Sequence, residues 1–392
     1  MKIAIIFEGD IYHQRGEFLA IHNRMKSFLK SDSITFDAYV CGFYCDKLLR
    51  WLTKAPHTNK IDTIQIEGIQ YHCVWYKRSW LDIITRKLFK RSTNFEFCSI
   101  KKLFNLEGYD LIYAHSLQMG KLAISYKIKS AIPCVVAWHG SDIHSLPFQD
   151  KNWYKYTQQV LRGADCNLFV SKELQKIANG IAENVGIVTL NGIDPSRFYP
   201  FDKKRRKELR EKMGFSENEK LIAFIGNCLP VKNVQFLPTL FSNLHKAVNN
   251  CHFFIIGNGS FVELFSRYDL PLTLCGNVEN DIMPDYYNIF DLVVLPSNKE
   301  GLPITCLEAV ACTTPFIGSR VGEIENVVGE EYTVPLGQNF EEEFVRKCIE
   351  ILTAEERHPV TLKDCYNSDY ISNREIELFQ NIVREDVKMS NA

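Results

Sequence analysis

The chain has 392 residues, 46% hydrophobic and 24% charged, with 46 Lys and Arg against 47 Asp and Glu. This length exceeds what one hydrophobic core fills, and the ordinary composition excludes a disordered, collagen-like or disulfide-framework chain. No apolar run reaches the roughly 18 residues of a membrane span, and the chain opens on an apolar strand rather than a secretory leader, so a cytoplasmic protein is expected.

In the first half, strands are expected over 2–7, 34–41, 110–114, 133–138, 166–170 and 186–190, with helices over 16–29, 117–130, 152–161 and 171–182. Strands alternating with helices imply a mostly parallel sheet covered on both faces. The loop from Glu8 to Glu17 follows the first strand and carries Gly9 and Gly16, which permit close backbone approach. It lacks the tight G-x-G-x-x-G of dinucleotide binders, so NAD is not expected. Further on, Ala137-Trp138-His139-Gly140-Ser141-Asp142 closes a strand. A histidine there is either structural or turned toward a ligand, and both readings stand.

Charge is divided unevenly. Up to Asp194 there are 25 Lys and Arg against 18 Asp and Glu; the remainder has 21 against 29. Much of the excess is local: Lys77, Arg78, Arg86, Lys87, Lys90, Arg91, Lys101 and Lys102 face only Asp82 and Glu96. Trp75, Tyr76, Trp80, Leu81, Ile83, Ile84, Leu88 and Phe89 are interleaved. Such a segment suits peripheral contact with an anionic membrane surface through residues 77–102. It equally suits a solvated face packed on its own domain. Nucleic acid is not expected, since no recognised motif accompanies the charge. The 13 cysteines lack paired zinc spacing and read as reduced, mostly buried thiols, so no metal is expected.

Asn191-Gly192-Ile193-Asp194-Pro195 is a turn-rich break before the charged stretch 203–212. The domain boundary is placed there, giving domains 1–194 and 195–371 and a final helical segment 372–392. The second domain restarts with strands over 221–226, 251–256, 272–275, 292–295 and 316–318. After its first strand, Gly226-Asn227-Cys228-Leu229-Pro230-Val231-Lys232 offers a glycine turn and then a lysine, a combination that can hold a diphosphate. The run Asp291 to Pro296 reads as a buried strand stopped by proline, and Glu300-Gly301-Leu302-Pro303-Ile304-Thr305-Cys306-Leu307-Glu308 follows where strand hands over to helix. Eight helical residues would separate the two carboxylates by about 12 Å. A glycosidase pair needs roughly 5 to 9.5 Å, so two grips on one long ligand fit better. Two solvated glutamates at a helix start remain the alternative.

Glu300 and Glu308 match the E-x7-E element of the retaining glycosyltransferases of family 4, which this sequence resembles over most of its length. Gly276-Asn277-Val278 and Tyr286-Tyr287-Asn288-Ile289-Phe290-Asp291 resemble that family's nucleobase loop and the helix after it; Pro315-Phe316-Ile317 and Val321-Gly322 follow in its usual order. The resemblance implies an α/β GT-B fold, two Rossmann-like domains facing a central cleft, with the last helix crossing back to the first domain. It implies retaining transfer of a sugar from a nucleotide sugar, UDP-linked rather than GDP-linked, to a glycan or lipid-linked glycan acceptor in cell-surface polysaccharide synthesis. Any membrane contact would then be at the inner face of the cytoplasmic membrane. A GT-B epimerase and a catalytically silent nucleotide-binding relative are the alternatives.

By the same resemblance Glu300 holds the donor sugar, Glu308 the ribose and Lys232 the leaving phosphate. Asn227, Asn277, Val278, Gly301, Leu302, Ile304 and Thr305 complete the donor site. His139 matches the histidine of the H-G-x-D element that faces the donor sugar, and Gly16 and Asp142 lie on the acceptor side. Some positions depart from the family. Asn227 stands where arginine is usual, Thr313 and Glu323 where glycine is frequent, and Pro303 where many relatives have glycine. Neither cofactor nor metal is implied.

Overall fold

The computed structural model describes all residues except 10, 12–15, 46, 48–50, 52–59, 79, 82, 85–94, 355–359 and 391–392. Arg86, Lys87, Lys90, Arg91, Leu88 and Phe89 of the basic segment lie outside the described residues, as do Tyr12 to Arg15 of the first loop. The chain forms two compact units, one of Met1–Leu190 with Ser368–Ala392, the other of Asn191–Asn367.

Unit 1 is built on an eight-stranded sheet. Its strands are β1 (Lys2–Glu8), β2 (Thr35–Tyr44), β3 (Thr63–Ile66), β4 (Ile69–Lys77), β5 (Leu111–His115), β6 (Cys134–Trp138), β7 (Cys166–Phe169) and β8 (Gly186–Val188). The order is β3-β4-β2-β1-β5-β6-β7-β8, parallel except for the β3–β4 hairpin. Side chains alternate across a strand, so Ile3, Ile5 and Phe7 enter one core while Ala4 and Ile6 enter the other. Asp150 accepts from the amides of Asn152 and Trp153 and starts the helix Lys151–Gly163; Ser171 caps Lys172–Ile181 in the same way. The helix Ser368–Ser390 packs on Gly16–Phe28, where Phe379 meets Phe28 and Tyr113. Buried Arg24 and Glu375 pair across this contact at 3.2 Å, and Arg24 also donates to the carbonyl of Leu190 at 3.0 Å.

Unit 2 has six parallel strands: β9 (Lys220–Ile225), β10 (Cys251–Ile256), β11 (Leu272–Gly276), β12 (Leu292–Leu295), β13 (Phe316–Ser319) and β14 (Thr333–Val334). The order β11-β10-β9-β12-β13-β14 reverses direction between β9 and β12. A ligand crevice opens at such a reversal, outside the carboxyl ends of the strands. The helix Lys203–Lys212 is capped by Asp202 and tied down by Arg206 and fully buried Arg210, both paired with Asp291 at the entry to β12.

The β3–β4 hairpin differs from the sequence expectation. Trp75 and Tyr76 belong to β4 rather than to an amphipathic surface segment; Tyr76 is buried and the Trp75 indole donates to the Ile61 carbonyl at 2.7 Å. The alternation in Ile69–Lys77 is that of a half-buried strand, and only its basic end resembles a surface segment. Among the described residues no helix is long and apolar enough to cross a membrane.

Candidate active site

The reversal point of unit 2 is made by the loops leaving β9 and β12. After β9 the chain turns through Pro230–Lys232, with Asn233 left-handed at φ 53°. After β12, the Asn298 amide donates to the Val231 carbonyl at 2.8 Å and fastens the two loops together. This register brings Lys232 and Glu300 into an ion pair, Nζ to Oε1 2.6 Å, with both side chains mostly buried. The Glu300–Gly301 turn is braced from β13: the Glu323 amide donates to the Gly301 carbonyl at 2.8 Å. Gly322 sits between them at φ 58°, where a Cβ would overlap that carbonyl oxygen. Glycine here serves both the left-handed backbone and the close approach.

The helix Ile304–Ala311 begins directly after Pro303. The amides of Ile304 and Thr305 therefore lie in its first turn, where no intrahelical carbonyl precedes them and an anion is favoured. The preceding Leu302 carbonyl accepts from Asn191 Nδ2 at 2.9 Å. One turn deeper, Glu308 is buried and accepts from the Tyr287 hydroxyl at 2.6 Å. Burial pushes Glu308 up to about 7, against the opposing pull of Tyr287 and Arg197.

Asn227 lies in the loop after β9, but its side-chain oxygen Oδ1 accepts from the Asn258 backbone amide at 3.1 Å. That bond, with Cys228 N to Asn258 O at 2.7 Å, joins the β9 and β10 loops. At the position where arginine is usual, the structure thus shows a loop brace. Asn277 and Val278 follow β11 and its left-handed Gly276, with Asn277 exposed.

In unit 1 the order reverses between β1 and β5. His115 ends β5 and His139 follows β6; their rings meet at 2.9 Å, Nδ1 to Nε2. Burial drives the His139 ring down to about 3 and His115 well below the usual value, so both are neutral. Asp142 turns back to accept from Gly140 N at 2.9 Å and His139 N at 3.3 Å, fixing the strained Gly140 turn at φ 145°. Burial still raises Asp142 to about 6. Gly16 is the first residue of the helix Gly16–Phe28.

The structure thus joins Lys232 to Glu300 and places Glu308 one turn below the amides of Ile304 and Thr305. His139 and Asp142 form a separate group in unit 1, and Asn227 is committed to the β10 loop. Three residues escaped sequence reasoning: His115, Tyr287 and Arg197. His115 ends a strand beside the reversal point, which could have flagged it. Tyr287 lies in the segment that resembles the family's helix after the nucleobase loop, yet nothing in the sequence shows which of two adjacent tyrosines turns inward. Arg197 follows the interdomain turn and pairs with Asp281 at 3.2 Å. Among the described residues no group of three or more His, Cys, Asp and Glu is gathered for a metal ion.

Residues 205–363 match the family model described as glycosyl transferases group 1, and residues 54–172 the one described as glycosyl transferase 4-like. The Bacillus subtilis (strain 168) protein named as a teichuronic acid biosynthesis glycosyltransferase, TuaC, is 29% identical over 225 residues, 56% of each chain. The Escherichia coli UDP-Gal:alpha-D-GlcNAc-diphosphoundecaprenol alpha-1,3-galactosyltransferase is 27% identical over 257 residues, 60% of this chain and 64% of that one. Both matches thus span less than two thirds of the relative's length. Sucrose-phosphate synthase of Thermosynechococcus elongatus superposes with TM-score 0.67 at 15% identity, covering 100% of this chain and 98% of that one. Anabaena HepE in complex with UDP and glucose superposes with TM-score 0.64 at 16% identity over 99% of both. The two family models, which together span most of the chain, make it a glycosyltransferase of the family 4 type, and the superpositions show that it has the GT-B fold.

Proposed function

We propose that this protein is a retaining glycosyltransferase that moves a hexosyl group from a UDP-sugar to a glycan or lipid-linked glycan acceptor, in the synthesis of a cell-surface polysaccharide. The observation that carries the reading is the Lys232–Glu300 pair at the reversal point of unit 2, beside the first turn of Ile304–Ala311 and one turn above Glu308. A long ligand with hydroxyls at both ends and a diphosphate between matches that spacing. Glu308 takes the ribose, the amides of Ile304 and Thr305 take the diphosphate, and Glu300 takes the sugar hydroxyls. Lys232 exchanges its carboxylate partner for the leaving phosphate, whose charge grows as the sugar departs. No carboxylate is assigned as nucleophile. The acceptor hydroxyl attacks on the face that the phosphate leaves, and its proton passes to that phosphate. The protein supplies orientation and charge. Unit 1 takes the acceptor, with neutral His139 offering hydrogen bonds without charge. No resident metal is required in this scheme, so activity should survive a chelator.

The substrates for which two relatives are named favour these classes. HepE has been solved with UDP-glucose, and the E. coli relative is named for UDP-Gal and a diphosphoundecaprenol acceptor. A lipid-linked acceptor calls for contact with an anionic membrane surface through residues 77–102. Of its described residues, Trp80 is 54% and Leu81 40% exposed, enough apolar surface to enter a headgroup layer.

A panel of labelled nucleotide sugars tests the function. One donor, UDP-linked, should be hydrolysed slowly without acceptor and transferred with retention when a lipid-linked glycan is added; sedimentation with anionic vesicles at low salt should carry the protein down. Donor turnover into an epimer, or binding with no turnover of any donor, would replace the proposal with an epimerase or a silent binder.

A further inference from the structure

Glu308 is a buried carboxylate whose surroundings exceed what packing requires. Tyr287 is fully buried and spends its hydroxyl on Oε2 of Glu308 at 2.6 Å. Its own placement is over-determined. The Thr314 hydroxyl donates to the Tyr287 carbonyl at 2.6 Å, and Phe198 packs edge-on to the ring with centroids 6.0 Å apart. The next residue, Asn288, accepts from the Phe201 amide at 2.7 Å and donates to the Tyr199 carbonyl at 3.1 Å. The segment carrying Arg197 is thereby pinned to the helix Met283–Ile289 that carries Tyr287. Arg197 in turn holds the loop after β11, through Asp281 at 3.2 Å and, with its amide oxygen facing inward, Asn280 at 2.9 and 3.1 Å. That loop carries Asn277 and Val278.

We infer that Tyr287 is the positioning residue of the nucleotide site, its hydroxyl fixing the Glu308 carboxylate to receive the two vicinal hydroxyls of a ribose. The inference rests on the proposed nucleotide site and deepens it. A carboxylate can accept from two hydroxyls only while ionised; the protonated acid offers one carbonyl oxygen and a donor of its own. Tyr287 donates to the ionised form and favours it, as does the Arg197 charge, whereas burial opposes them. Cys312, capping the end of the same helix, is held protonated by burial and by Glu308 itself, and adds no charge. By occupying Oε2, the phenol leaves Oε1 as the oxygen for the ligand. The Arg197 charge acts on the same carboxylate, and its guanidinium holds the loop assigned to the base.

The test is calorimetry with two probes, UDP and 2′,3′-dideoxy-UDP, on the full chain and on Tyr287→Phe, from pH 5.5 to 8.5. For the unmodified protein UDP affinity should rise with pH. In Tyr287→Phe the rise should move to higher pH, so that UDP binds about tenfold more weakly at pH 7 and recovers toward pH 8.5. The probe's terminal phosphate titrates in the same window, but identically with both proteins, so the difference between profiles reports Glu308. The dideoxy probe, which has no hydroxyls for Glu308, should bind both proteins alike. In a Glu308→Gln background, Tyr287→Phe should change neither profile. Equal losses for both probes at every pH would show a merely structural tyrosine and overturn the inference while leaving the nucleotide site intact. No UDP or GDP binding to the unmodified protein would remove the site and the inference together.

Discussion

The two sheets reverse their strand order in the same way, and the two reversal points are electrostatic opposites. In unit 2 the loops leaving the two strands beside the reversal carry Lys232 and Glu300, a paired cation and anion. In unit 1 the corresponding strands end in Glu8 and His115. Burial and nearby Glu96 raise Glu8 to about 7, against Ser116, Arg78 and Lys121, and the His115–His139 pair is neutral. The topology provides a crevice in both units, and the side chains at its lip decide what it can receive. Unit 2 keeps a formal cation and anion at its lip, the feature on which the proposed diphosphate site rests. Unit 1 keeps protonatable groups close to neutral, which suits hydroxyl groups.

Changing one side chain on each lip breaks the comparison most directly. Lys232→Ala should weaken UDP binding and lower turnover by about 10²- to 10³-fold, because the leaving phosphate loses its cation and Glu300 loses its partner. His139→Gln should lower turnover while leaving UDP affinity unchanged. Calorimetry and initial rates on both variants decide it, and equal UDP affinity in Lys232→Ala would dissolve the assigned difference between the lips.

The same contrast predicts opposite pH signs for stability. Glu308 is raised in the folded protein to about 7. Relative to an ordinary carboxyl, its contribution is fully present below about pH 4.5 and lost as pH rises through 7. Glu308→Gln should therefore stabilise the ligand-free protein at pH 8, by at most about 3 kcal/mol, although under the proposed function it should weaken nucleotide binding. His139 is depressed to about 3. Its contribution is present above the unfolded value near 6.5 and lost as pH falls toward 3, at up to about 1.4 kcal/mol per unit. His139→Gln should make acid unfolding shallower between pH 6.5 and 5. Urea unfolding of the three proteins at pH 5, 6.5 and 8 measures both slopes. Parallel curves would mean that neither group is buried as described.

How far these differences can be read from the sequence depends on whether a residue's role is local. The buried strands were legible because runs such as Leu221–Ile225 and Leu292–Leu295 have both faces covered and read as continuous apolar stretches. The carboxylates of the E-x7-E element and the lysine after β9 were legible from spacing and order. The ion pair between Lys232 and Glu300 was not, because it depends on β9 and β12 being neighbours although β10 and β11 intervene in sequence. The His115–His139 contact was hidden although β5 and β6 are consecutive, because only their pairing register brings the two strand ends level. Asn227 was assigned to the donor site in place of an arginine, and its side-chain oxygen is committed to Asn258. The β3–β4 hairpin was obscured because the basic residues beginning at Lys77 outweighed the strand alternation before them.

The finest comparison concerns one connection found in both units, the helix leading to the strand two places beyond the reversal. In unit 1 the helix Ser116–Ser130 ends at Ala131, left-handed at φ 51°, before β6. In unit 2 the helix Ile304–Ala311 ends in a pair of bonds, Thr313 N to Val310 O at 2.9 Å and Thr314 N to Ala309 O at 2.8 Å. That is the Schellman arrangement, and it puts Thr313 at φ 54°. The sequence marked Thr313 as a position where relatives often have glycine, and the backbone supplies the reason. A β-branched residue is disfavoured there, and the exposed Thr313 side chain offers little packing in compensation. Thr313→Gly should stabilise the protein by about 1 kcal/mol, and Ala131→Gly by less, since alanine carries no branch to clash. Both should shift the urea midpoint without changing its slope. If Ala131→Gly gained as much as Thr313→Gly, the branch would not be the source of strain, and the two helix ends would differ only in their hydrogen bonds.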